Sequence, residues 1–130
     1  MQNKSNQYEL NLILKDFQKG FVKESVIRIK NYIAKFPNDL IAKYNYAVVL
    51  EKINETKEAS KLYKTILKKT PNHWQSLINL YLLYFNDSNY LEALPLVTKV
   101  IELKPNYQPA LRDQAHVLYR LNKLDDAFKK

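Results

Sequence analysis

The dipeptide Pro-Asn recurs at Pro37-Asn38, Pro71-Asn72 and Pro105-Asn106, an interval of 34 residues each time. Proline cannot continue a helix and holds the residue before it extended, so each copy ends one element and turns the chain into the next. Two further series run in phase with it. Ser25, Ala59, Ala93 and Ala127 keep a small side chain, and Asn11, Asn45 and Asn79 keep an amide. Three series sharing one period identify a repeat architecture, in which each unit buries its apolar face only against its neighbours.

Between the prolines the apolar residues fall at helical spacing, as in Tyr46, Ala47, Leu50 and Ile53, then Ala59, Leu62, Tyr63, Ile66 and Leu67. Each repeat therefore holds two helices. The breaks between them are polar: Lys19-Gly20, Asn54-Glu55-Thr56, Asp87-Ser88-Asn89 and Asn122-Lys123. Gly20 suits the left-handed position just past a helix end, and Thr56 or Ser88 suits a cap for the helix that follows. Connections this short make antiparallel hairpins. The spacing predicts helices near 6–18, 21–35, 40–53, 56–69, 73–86, 90–103 and 107–121, with a stub of an eighth from 124. Pro95 falls inside the sixth, where it removes one backbone hydrogen bond and is expected to kink the helix mildly.

Composition narrows the function. With 130 residues the chain is read as one domain. A single glycine, Gly20, leaves no phosphate-cradling loop. The absence of cysteine removes disulfide frameworks and thiolate metal sites and favours a reducing, cytoplasmic setting. The polar start of the chain gives no signal-peptide core, and no run approaches the roughly 18 apolar residues of a membrane span, so no membrane association is expected. The net charge of +8 admits an acidic partner or a nucleic acid. The plainer reading is an AT-rich coding sequence, with lysines spread over solvated helix faces.

These residues resemble the tetratricopeptide repeat, whose 34-residue pattern runs Trp-x2-Leu-Gly-x2-Tyr, then Ala-x3-Phe, then Pro. The second repeat supplies Tyr46-Ala47, Leu50, Ala59, Tyr63 and Pro71. The third supplies Leu77, Leu80, Tyr84, Ala93, Val97 and Pro105. The fourth begins with Leu111, Ala115 and Leu118 and reaches Ala127, and the first is weakest, with Leu12, Ile13, Ser25, Ile29 and Pro37. Two positions depart from the pattern. Lys43 stands where the family prefers Trp, and Tyr81 stands where it prefers Gly, with Ala93 opposite leaving room for the ring. The resemblance implies an all-α solenoid, a right-handed superhelix of antiparallel hairpins about three and a half repeats long. Its repeats are 6–39, 40–73, 74–107 and an incomplete 108–130, which reads as a chain cut short.

What the resemblance implies about function is a concave groove lined by the first helix of each repeat, holding a protein or peptide without catalysis. Carried over position by position, the groove residues include Asn11, Asn45 and Asn79, with Asp113 next in that series. Beside them come Leu10, Leu14 and Phe17, then Tyr44 and Val48, then Ile78, Leu82 and Phe85, then Arg112, His116, Tyr119 and Arg120. An amide both donates and accepts, so a column of asparagines could hold the backbone of an extended peptide. This resembles the repeat arm of O-linked N-acetylglucosamine transferases and of bacterial relatives. Exposed asparagine on a helix is also common, so the column is open to a structural reading as well, although the ladder is favoured. The carboxylate clamp of chaperone-binding members matches poorly, because Leu10 and Leu14 stand where it needs Lys and Asn.

Catalysis finds no constellation. His73 and His116 lie on different repeats, there is no cysteine nucleophile, and no metal-ligand spacing occurs; no cofactor is expected. Besides the binding scaffold, three readings stay open: the N-terminal arm of a longer glycosyl- or sulfotransferase, self-association through the open C-terminal repeat, and, as the weakest, nucleic-acid binding by Lys57, Lys61, Lys64, Lys68 and Lys69.

Overall fold

A computed structural model describes residues 4–129, and within them every regular element is a helix: α1 (Lys4–Gln18), α2 (Val22–Lys35), α3 (Leu40–Lys52), α4 (Thr56–Lys69), α5 (Trp74–Asn86), α6 (Tyr90–Leu103) and α7 (Gln108–Lys129). The chain falls into two compact units, Met1–Leu62 and Tyr63–Lys130, divided inside α4.

Two turns alternate along the chain, and each has one cause. After α2, α4 and α6 the proline sits at the second position of a tight turn: Asp39 N–H donates to the Phe36 carbonyl, His73 to Thr70 and Tyr107 to Lys104, each at 3.1 Å. Asp39 and His73 then cap the next helix, Asp39 accepting from Ala42 N–H at 3.0 Å and His73 Nδ1 from Ser76 N–H at 3.2 Å. The turns after α1, α3 and α5 reverse the chain differently. Gly20, Asn54 and Ser88, at the same 34-residue interval, take positive φ values of 104°, 66° and 60°. The next residue donates back five positions, Phe21 to Asp16 at 3.0 Å, Glu55 to Leu50 at 2.8 Å and Asn89 to Tyr84 at 2.8 Å. This is the Schellman closure of a helix end. Ser88 is thus the left-handed residue of its turn and not a cap, and Thr56 is the first helical residue; Asn89 precedes α6 without a side-chain capping bond.

In the first unit α1 packs on α2, and α2 on α3. Ile13, Ile29, Tyr32, Ala42 and Ala47 are almost wholly buried, and each isoleucine contributes about 1.5–3 kcal/mol by leaving water. Arg28 ties α2 to α1 through Asp16 at 2.7 Å. In the second unit α5 packs on α6, and α6 on α7. Leu77, Tyr81, Val97, Val100 and Ala110 form one core there, and Tyr90, Ala93 and Val117 a second. Along α4, Ala59, Tyr63 and Ile66 are buried while Lys57, Lys61, Lys64, Lys68 and Lys69 are exposed, the solvated-face arrangement that the sequence suggested for its lysines. Trp74 opens α5 beneath the Lys104 ammonium, 4.0 Å from the ring centre.

α6 continues as one helix through Pro95, where the hydrogen bond that proline forfeits involves only the carbonyl of Leu91, a residue 76 % exposed. One expectation meets a different outcome. The eighth helix does not form as a separate element. α7 continues through Asn122 to Lys129, and a left-handed asparagine there would cost about 1 kcal/mol that continued helix avoids.

Candidate functional site

In the first unit Asn11 is exposed on α1, and Tyr44, Asn45 and Val48 are half-buried on α3. Leu10, proposed for the groove, is only 3 % exposed; it belongs to the core. The Asn45 amide donates to the carbonyl of Ile41, one turn back on its own helix, at 3.0 Å. That bond holds the side chain along the helix and leaves its oxygen as an acceptor.

In the second unit the position equivalent to Asn45 is used internally. Asn79 Nδ2 donates to the hydroxyl of the fully buried Tyr63 at 3.1 Å, joining α5 to α4. One repeat on, Asp113 accepts from the Tyr81 hydroxyl at 2.7 Å, joining α7 to α5. Burial first, then this bond to the carboxylate, hold the Tyr81 phenol well above the ordinary tyrosine range. Ile78 is 7 % exposed and part of the core, so it offers nothing to a ligand. Leu67 of α4, Leu82 of α5 itself and Tyr107, which precedes α7, pack against the core that Ile78 joins.

The remaining residues come together. Leu82 and Phe85 of α5 are half-buried. Facing them, α7 presents Arg112, His116 and Arg120, one turn apart and all exposed. The His116 ring lies 5.3 Å from Phe85 and 6.0 Å from Tyr90 between ring centres, and the Arg120 guanidinium carbon stands 5.4 Å over Tyr90. Lys123 adds a further cation over Tyr119 at 5.5 Å. An apolar, aromatic floor edged by Arg112 and Arg120 is suited to a segment carrying apolar and acidic side chains. Tyr90, 8 % exposed, escaped sequence reasoning, because it lies on a second helix and its equivalents Val22 and Thr56 are not aromatic. Among the described residues no group of three or more His, Asp or Glu is placed to hold a metal.

No family model matches the chain. A TPR repeat-containing protein of Methanocaldococcus jannaschii is 32 % identical over 79 residues, 61 % of this chain; the chain spans about a quarter, 24 %, of that protein's length. Among solved structures, a MamA double mutant superposes over 99 % of this chain and 72 % of its own, with a TM-score of 0.85 at 17 % identity. A tetratricopeptide repeat protein from Parabacteroides merdae does so over 92 % and 47 %, with a TM-score of 0.81 at 22 % identity. The chain has the fold of tetratricopeptide-repeat proteins. In tetratricopeptide terms Arg112, His116 and Arg120 fall on the first helix of the fourth repeat, and Leu82 and Phe85 on that of the third. Tyr81, at the pattern's glycine position, is accommodated by reaching across to α7. Among the described residues no helix is long and apolar enough to cross a membrane.

Proposed function

We propose that this chain is a non-catalytic protein-interaction module that takes an extended, acidic and apolar segment of another protein on the first-helix face of its second unit. The observation that carries the reading is the column Arg112, His116 and Arg120, exposed beside half-buried Leu82 and Phe85. The net charge of +8 adds attraction at long range. The tetratricopeptide fold favours protein ligands, since its stacked hairpins present rows of first-helix side chains as binding surfaces. In the first unit, exposed Asn11 and half-buried Tyr44, Asn45 and Val48 are proposed as a second contact region, with the Asn45 oxygen accepting from a ligand backbone.

Fluorescence polarisation with labelled acidic-aromatic peptides tests this. The wild type is expected to bind them at least about tenfold more tightly than charge-reversed peptides, with affinity falling as salt rises. The double variant Arg112→Glu, Arg120→Glu is expected to abolish the preference without changing the helical circular dichroism. Equal binding of both peptide classes by the wild type would overturn the assignment.

A further inference from the structure

A cleft of about 470 Å³ opens between α4 and α6 in the second unit and shares no residue with the Arg112 face. Its floor is apolar: Leu80 is buried, and Leu67, Tyr84 and Leu96 are half-buried around it. The two walls differ in charge. α4 contributes Lys64 and Lys68, one turn apart and both exposed, while α6 contributes Glu92 and Pro95. The Lys64 ammonium donates to Tyr84 and lies 5.5 Å from its ring centre, which sets one cation over the floor. Pro95 supplies no N–H, so the Leu91 carbonyl beside it lacks its helical donor. One period earlier the positions of Lys68 and Pro95 hold Ala34 and Lys61, and the repeat pattern fixes neither position. In the second unit the lysines are therefore gathered on one wall and the opposite wall is cleared of one.

We propose that this cleft binds a small apolar monocarboxylate, its carboxylate held between the Lys64 and Lys68 ammonium groups and its hydrocarbon body laid over Leu67, Leu96 and Pro95. Size, charge and floor each narrow the class. A cleft of this volume falls among small-molecule sites, which run from about 300 to 1,000 Å³. Two ammonium groups on one wall supply charge-assisted donors to a single anionic group. Glu92 on the opposite wall repels a second negative charge. A dianion such as a phosphate monoester is therefore disfavoured, and a hydrated inorganic anion has no apolar body to place against the floor. The Leu91 carbonyl offers an acceptor to a hydroxyl or amide at the far end of the ligand. No residue of the cleft belongs to the peptide-binding face, so the inference does not rest on that assignment.

The test uses the 130-residue chain itself and three probes with one hydrocarbon body: phenylbutyrate, phenylbutanol and phenylbutylamine. Isothermal titration calorimetry is expected to show the carboxylate saturating a single site and binding at least about fivefold more tightly than the alcohol or the amine. Lys68→Glu, at an exposed position, is expected to weaken phenylbutyrate at least about fivefold while helical circular dichroism stays unchanged. Lys57→Glu makes the same charge change on α4 outside the cleft, and at physiological salt it is expected to keep the affinity within about twofold. No saturable binding of phenylbutyrate overturns the proposal, as do equal affinities for the three probes or equal losses in the two variants. Arg112→Glu, Arg120→Glu is expected to lose the peptide and keep phenylbutyrate, which separates failure of one assignment from failure of the other. Displacement of phenylbutyrate by the acidic-aromatic peptides would make the cleft part of the peptide face and overturn it as a small-molecule site.

Discussion

Asn45 and Asn79 are the same residue type at the same repeat position, yet they do different work. Asn45 bonds to its own helix, whose Ile41 carbonyl already serves the helical ladder, so Asn45→Ala is expected to move stability by less than about 0.5 kcal/mol. Asn79 supplies a hydrogen bond to a fully buried phenol, and Asn79→Ala is expected to cost about 1 kcal/mol in urea denaturation. Equal costs would contradict this division. His73 makes a second residue-level contrast. Its Nδ1 accepts from Ser76 N–H only when unprotonated, and burial lowers its affinity for a proton below that of free histidine. The unfolded chain thus binds the proton more readily, so this contribution to stability is present above about pH 6.5 and is lost as pH falls through the lower folded value. His73→Asn, which caps without titrating in this range, is expected to flatten the melting temperature between about pH 7 and pH 5 relative to wild type.

At the scale of the element, the left-handed turn residues decide where hairpins reverse. A side chain at Gly20 would meet nothing within 4 Å, so its demand for glycine comes from φ alone. Gly20→Ala is expected to lose about 1 kcal/mol, whereas Ser88→Gly, relieving the same conformation, is expected to gain about 0.5 kcal/mol after its added freedom in the unfolded chain. Chemical denaturation midpoints moving the other way would count against this account. The helices from α1 to α6 were legible in the sequence because proline and the polar breaks are local signals, and the structure moves their ends by no more than two residues. The end of α7 was not legible. Asn122 has the chemistry of Asn54, and no local signal in the sequence separates the helical asparagine from the left-handed one. Leu10 and Ile78 were misread for a related reason. Inward and groove positions alternate within one turn of an amphipathic helix, and only packed neighbours tell them apart. The cluster of Phe85, Tyr90 and His116 joins three helices, a juxtaposition that no period in the sequence encodes.

At the scale of the molecule, a chain of +8 net charge with its α4 lysines in solvent and Arg120 beside an aromatic ring keeps folding and the proposed capture on different footings. Buried side chains govern the first, and salt governs the second. The two units also differ in what they let an experimenter see. The chain has one tryptophan, and Trp74 lies in the second unit under Lys104. Its emission therefore watches that half alone, while far-ultraviolet circular dichroism averages every helix. Melting curves that part company would reveal a molecule that comes undone in stages, starting from whichever half gives way first, and curves that coincide would mean that the division inside α4 is crossed by a single cooperative transition.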